Sequence, residues 1–410
     1  MSLPPLKKPP KRGLSPMQIR YLAIAWFALA IILGMCTFVA IFWAAGGIST
    51  PQPTQAAIVP TSTPVPTLPP PPPTNTPEPG APPLVSLDTP FMLGGQAIHG
   101  GIPHADVMRS AGMTWVKLQA ADLTVDFGPA IENAHRLGLR ILISVVDKTD
   151  NKYKVTDPAY QQTYAAYVAT IAQQGADAIE VWNEMNIDRE WPSGQINGTS
   201  YAQFLSVVAP QIRAANPNTW VITGAPSPTG YFGGACNPTG CDDKPYIEQM
   251  AAAGIFNNPN VDCVGIHYNE GIIPPTETSG DPRGNSEHYT RYYQSMVDTY
   301  WTASGGVKPL CFTELGYLSD EGYQSLAEVA QGFAWASDTT ITQQAGWLAS
   351  AAQLSKQQGK VRLLIVFNVD FTEYPGPEVA EGDPQGGYAI IRPDGSCPAC
   401  DSLAAVMATP

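Results

Sequence analysis

Basic side chains are scarce beyond the first twenty residues, histidines number five, and no glycine-rich phosphate turn is present. Each shortage removes a class of function. The chain carries 22 Lys and Arg against 35 Asp and Glu, for a net charge of −13. Lys7, Lys8, Lys11, Arg12 and Arg20 contribute +5, so everything beyond residue 20 sums to −18. Without a basic stripe outside that tail, nucleic acid is not expected as a partner, and an acidic surface disfavours polyanionic ligands. The histidines form no ligand pair and the cysteines have no ordered Cys/His spacing, so neither a metal nor an organic cofactor is expected. Gly94-Gly95 and Gly100-Gly101 do not space as G-x-G-x-x-G. That argues against an open doubly wound sheet, and against a barrel enzyme acting on phosphorylated metabolites.

Charge is also missing from Tyr21 to Ala45, where Leu22–Trp43 is almost wholly apolar. Such a run, of about 25 residues, is long enough to cross a bilayer core of about 30 Å, whereas a cleavable signal peptide has an apolar region of about 7–15 residues. With residues 1–20 as a basic cytoplasmic tail, residues 21–45 read as a transmembrane signal anchor with the rest of the chain outside. Cleavage near Ala44-Ala45-Gly46, giving a secreted protein, is the alternative. Residues 51–83 hold fourteen prolines and a single charge, Glu78. Such a segment buries no core, so 46–84 is expected to be a Pro/Thr-rich spacer. Residues 85–410 are left as the folded domain, a length normal for an α/β barrel.

One of the seven cysteines, Cys36, falls in the apolar run; the other six suit an oxidising compartment. Cys236 and Cys241 flank a turn-forming Asn-Pro-Thr-Gly and read as a small disulfide. Cys397 and Cys400 can close another, and Cys263 and Cys311 are either bridged or buried thiols.

From residue 91, strand-like and helix-like segments alternate. Strands are predicted at Phe91–Ile98, Thr114–Gln119, Arg140–Val146, Ala178–Asn183, Trp220–Gly224, Val261–Tyr268, Pro309–Glu314 and Arg362–Asn368. Helices are predicted at Phe127–Leu137, Ala159–Gln174, Tyr201–Ala215, Pro245–Ala253, Arg291–Ala303, Thr342–Gln358 and Asp401–Met407. Eight strand–helix units predict a closed (β/α)8 TIM barrel, in which chemistry sits at the carboxyl ends of the strands. Asn183 and Glu184 end strand four, His267 and Tyr268 with Asn269 and Glu270 end strand six, Glu314 ends strand seven, and Asn368 and Asp370 end strand eight.

Two of these ends stand out, in Val181-Trp-Asn-Glu-Met-Asn186 and Cys311-Phe-Thr-Glu-Leu-Gly-Tyr317. A carboxylate closing an apolar run is costly unless paired or used, and paired carboxylates are the apparatus of glycoside hydrolysis. Trp182-Asn183-Glu184 together with Thr313-Glu314-Leu315-Gly316 resembles glycoside hydrolase clan A, including its family 5 cellulases and mannanases and its family 39 xylosidase-like enzymes. The closing run from Gly387 to Ser396 resembles the segment after strand eight in those families. The resemblance implies a retaining O-glycosyl hydrolase acting on an extracellular oligo- or polysaccharide, with Glu184 as acid/base and Glu314 as nucleophile. It further implies that Asn183 bonds a sugar hydroxyl, and that His267 and Tyr268 flank the nucleophile. Asn368, Trp191 (by stacking), Gln119 and His99 are further candidates for sugar contact. Glu180 shares a face with Glu184 by strand alternation; it is either a third site carboxylate or a deeper one paired with a base such as Lys117. The family's tryptophan at the end of strand eight is missing here, where Val366 and Phe367 stand. A catalytically silent, membrane-tethered carbohydrate-binding module is therefore the competing reading.

Overall fold

Runs of β-branched and apolar residues, each followed by a polar turn, form eight strands in the computed structural model, which describes residues 90–371 and 384–409. The tail 1–20, the expected anchor 21–45 and the linker 46–84 lie outside the described residues. Among the described residues, no helix is long and apolar enough to cross a membrane.

The strands are β1 (Met92–Gln96), β2 (Trp115–Ala120), β3 (Arg140–Val145), β4 (Ala178–Val181), β5 (Trp220–Thr223), β6 (Val264–Tyr268), β7 (Leu310–Leu315) and β8 (Val361–Val366). All neighbours pair in parallel, in the order β5-β4-β3-β2-β1-β8-β7-β6. The two ends of that order meet through a bridge between Ile222 and Cys263. There Thr223 N–H donates to the Cys263 carbonyl at 3.1 Å and Asp262 N–H to that of Val221 at 2.9 Å. Gly265 permits this closure, because a Cβ on it would stand 2.0 Å from the Thr223 carbonyl oxygen. Each expected strand is present, with its ends within three residues of the apolar pattern; where β4 and β8 stop short, residues such as Asn183 and Asn368 have already turned out of the sheet.

Around the barrel lie α1 (Ala105–Ser110), α2 (Gly128–Arg136), α3 (Pro158–Gln173), α4 (Gly198–Ala215), α5 (Asp243–Ala252), α6 (Tyr293–Ala303), α7 (Ile341–Gln358) and α8 (Pro398–Met407). Local chemistry sets their starts. Asp157 caps α3 ahead of Pro158, Asn197 accepts from Ser200 N–H at the start of α4, and Thr340 with Gln343 forms a capping box on α7. Of the eight, α1, a helix of six residues, escaped the sequence pattern, which needs a longer window, as did the four-residue helices Leu326–Val329 and Gln385–Tyr388.

The barrel interior is layered. Trp115, Leu142, Ala178, Ile222, Cys263, Cys311, Leu363 and Ile365 form an apolar plug, crossed by the disulfide between Cys263 and Cys311. Disulfides also join Cys236 to Cys241 and Cys397 to Cys400. Two residues beyond Trp115 and Ala178, strand alternation places Lys117 and Glu180 on the same inward face, and both are fully buried. The apolar plug therefore gives way to a charged layer directly beneath the barrel mouth.

Candidate active site

Lys117 holds that layer together. Its Nζ lies 3.3 Å from Glu180 Oε2 and 3.0 Å from Glu314 Oε1, and donates to the Thr313 carbonyl at 3.1 Å. The second Glu314 oxygen accepts from Asn269 Nδ2 at 3.1 Å, so one donor on each oxygen fixes the plane of the carboxylate. His267, also fully buried, stands among three carboxylates: its Nδ1 is 3.5 Å from Glu184 Oε1 and 3.8 Å from Glu314 Oε2, and its Nε2 is 3.8 Å from Glu180 Oε1. The nearest oxygens of Glu184 and Glu314 therefore stand no farther apart than the sum of those two Nδ1 distances. That limit admits the carboxyl spacing of about 5–5.5 Å found in retaining glycosidases.

The chain reaches Glu184 through an unusual turn. Trp182 and Glu184 have φ of 74° and 37°, left-handed values that cost about 1–3 kcal/mol each and gather at functional sites. Surrounding bonds hold the turn: Glu184 N–H donates to the Ala225 carbonyl at 2.9 Å, and the Trp182 indole N–H to the Glu190 carbonyl at 2.9 Å.

Burial alone would push the Glu184 and Glu314 carboxyls up, but the cations outweigh it. Against burial, the Lys117 and His267 charges hold the Glu314 carboxyl below its ordinary range. Also against burial, the His267 hydrogen bond and charge, the Arg189 charge and Ser227 bring Glu184 down to about 2. Lys117 and His267 are both raised, because nearby carboxylates overcome the burial that would neutralise them. Arg189 pairs with Glu184 Oε2 from the loop after β4. Among the described residues, no group of three or more His, Cys, Asp or Glu is placed to hold a metal ion.

The architecture matches solved barrels. An endo-1,4-β-mannanase from Rhizomucor miehei aligns at a TM-score of 0.50 and 13% identity, over 78% of this chain and 96% of that one. A GH128 (subgroup II) endo-β-1,3-glucanase from Sorangium cellulosum aligns at 0.49 and 17%, over 78% and 98%. A GH10 endoxylanase from a sugarcane soil metagenome aligns at 0.49 and 10%, over 78% and 97%. The likeness to the mannanase shows the barrel fold and nothing finer. No family model matches the chain, and no curated protein matches it.

The structure brings Glu184, Glu314 and His267 together and sets Asn183 beside them in the chain, its buried Oδ1 without a hydrogen-bond partner. Glu180 and Lys117 pair beneath, the deeper of the two alternatives. Three expected contacts are corrected. Tyr268 does not flank Glu314: its ring packs edge-on against Tyr293 and Tyr317, and its hydroxyl donates to the Arg291 carbonyl at 3.1 Å. Adjacent strand residues face opposite sides, so with His267 turned inward Tyr268 must point out. Trp191 offers no face to a sugar, being 0% exposed and packed against Trp182, Tyr201 and Phe204. Asn368 uses both ends of its amide on backbone, donating to the Gln385 carbonyl at 2.9 Å and accepting from Phe371 N–H at 3.0 Å. Gln119 instead lines an open groove of about 560 Å³ with Ile98, Gly101, Leu118, Phe127 and Asn133, and His99 is exposed in the turn after β1.

Asn269, Arg189 and Ser227 were not singled out as site residues. Asn269 was legible from its place at the end of strand six. Arg189 reaches Glu184 only because its loop doubles back.

Proposed function

We propose that the chain is a retaining β-glycosidase of clan A type, held at the cell surface by residues 21–45 with its barrel outside. The observation that carries this reading is one buried imidazole, His267, within 4 Å of two carboxylates that close different strands. Glu314, kept ionised by Lys117 and oriented by Asn269, is the nucleophile that attacks the anomeric carbon. Glu184 protonates the departing oxygen and afterwards removes a proton from the water that releases the sugar. Asn183, next to the acid and with a free amide oxygen, serves the sugar hydroxyl beside the reacting carbon. The substrate is a β-linked oligo- or polysaccharide, which Gln119, in the groove beside β2, is placed to meet only if the sugar chain extends beyond the carboxylates. The mannanase with which the barrel shares its fold puts β-1,4-mannan first among polymers to test.

The competing reading, a silent glycan-binding module, draws on the end of β8, where Phe367 and the fully engaged Asn368 leave no tryptophan floor. A module that only binds has no need of two convergent carboxylates. The full chain should be screened on β-mannan, β-glucans, xylan and aryl β-glycosides beside Glu314→Gln and Glu184→Ala. Equal rates in wild type and Glu314→Gln would refute the mechanism. In Glu184→Ala, added azide should yield a β-glycosyl azide, whereas an α-configured product would mean inversion.

A further inference from the structure

A general acid must hold a proton when the substrate is bound, yet the free site is arranged to keep Glu184 ionised. Charge accounting shows where the proton can enter. With His267 protonated, three anions (Glu180, Glu184 and Glu314) face three cations (Lys117, His267 and Arg189). Two of those cations are fixed, since Lys117 and His267 are fully buried. Arg189 is different: its side chain is 68% exposed, while the Glu184 carboxylate it pairs with is only 13% exposed. It is the one cation of the three that an incoming sugar can push aside.

A second seat stands ready. Arg189 Nε lies 3.7 Å from Glu190 Oε1. Glu190 is buried, and that burial raises its carboxyl despite the nearby Lys148, Arg189 and Lys152 charges, so a closer guanidinium would compensate it. The backbone between the two seats is anchored. The Arg189 carbonyl accepts from Lys152 Nζ at 2.7 Å, Trp191 N–H donates to the Ile187 carbonyl at 3.0 Å, and the Trp191 ring is enclosed. The motion required is therefore of one long side chain, not of the loop.

We propose that Arg189 is a displaceable counter-ion with two seats, Glu184 and Glu190, and that a sugar entering the leaving-group side of the cleft shifts it to Glu190. The site then lacks one positive charge beside Glu184, and a proton from solvent takes its place on that carboxyl. This proton passes to the glycosidic oxygen as the bond from that oxygen to the anomeric carbon breaks and the Glu314 carboxylate forms its own bond to that carbon. Arg189 is thus a positioning residue that acts through Glu184. Besides Glu190, the other groups bearing on Glu184 are Ser227 and Tyr231 after β5, His267 and Glu270 at β6, Glu314 at β7 and Tyr388, with Glu180 acting on the far side of His267. None of these combines a positive charge with an exposed side chain, so none can take the place of Arg189. The inference rests on Glu184 being the acid.

The test compares the pH dependence of kcat/KM, which reports the free enzyme, with that of kcat, which reports the complex. It uses the full chain and phenyl β-glucoside, β-mannoside and β-xyloside. In wild type the basic limb of kcat should lie above that of kcat/KM. Arg189→Gln should raise the kcat/KM limb by about one pH unit, a roughly tenfold gain in rate above the wild-type limb, and close the gap. Glu190→Gln should lower the kcat/KM limb. The same gap in wild type and Arg189→Gln would overturn the proposal. If wild type and Glu314→Gln are equally inactive on every glycoside, it is the glycosidase reading that fails, and a substrate-free measurement still decides the counter-ion. In a carbon-13 titration of glutamate carboxyls, with Glu184 assigned by its loss in Glu184→Gln, the Glu184 midpoint should rise in Arg189→Gln and fall in Glu190→Gln. A midpoint unmoved by either change refutes the role of Arg189.

Discussion

Replacing Lys117 with methionine keeps an unbranched side chain one atom shorter and removes its charge from a fully buried position. The ammonium lies 3.3 Å from Glu180 and 3.0 Å from Glu314, and both Lys117 and Glu180 are fully buried. Breaking a buried ion pair by removing one partner costs about 3–5 kcal/mol, a large part of a total stability of about 5–15 kcal/mol. Part of that loss is recovered when a carboxyl takes up a proton, which gives the effect a sign in pH. Glu314 is held below its ordinary range in the wild type, so its share of stability is present above that range and is lost as the pH falls from there toward the lowered value of the folded state. In Lys117→Met the carboxyl no longer has that help. The difference between wild type and variant should therefore be largest near neutrality and should shrink in acid. Urea denaturation of both proteins at about pH 7.5 and about pH 4 measures it. The acid limb of any hydrolytic activity should also move upward, because the nucleophile would need a higher pH to ionise. Equal stability at about pH 7.5, or a difference independent of pH, would refute the reasoning.

Three further outcomes follow from the same geometry. Glu184 drops from 4.5 to about 2 on folding, so wild type should lose stability as pH falls between those values, and Glu184→Gln should melt with a flatter dependence there. Replacing Cys263 and Cys311 by serine opens a closed loop with a sequence separation of 48, worth about 4 kcal/mol in the chain-entropy account; urea denaturation reads it, and an unchanged midpoint would count against the bond. Trp191→Ala should cost about 3–5 kcal/mol as a core truncation with KM unmoved, whereas a raised KM at full stability would restore its stacking role.

The fold was legible because apolar strand-like runs alternate with helical ones, and because tertiary contacts moved the strand ends by no more than three residues. Alternation put Glu180 on the face of Glu184 but left two places for it, and only the structure selects the deeper one, paired with Lys117. The same rule, applied to His267 and Tyr268, would have turned the tyrosine out of the site; the resemblance to a known family outweighed it. Trp191 was opaque for another reason. A loop tryptophan shows nothing of its burial until Trp182, bent into the left-handed region, places its ring against it. Asn368 and Arg189 were hidden in the same way, because their partners, Gln385 and Glu184, meet them only through chain reversals that no local pattern records.

The central claim is that Glu314 attacks the sugar. It is tested most directly by incubating the full chain with 2,4-dinitrophenyl 2-deoxy-2-fluoro-β-glycosides of glucose, mannose and xylose, digesting it and locating the adduct by mass spectrometry. The account predicts one glycosyl ester, on the peptide containing Glu314 and absent from Glu314→Gln. An enzyme that hydrolyses the parent glycosides but carries its adduct on Glu184 or Glu180, or carries none, would contradict it.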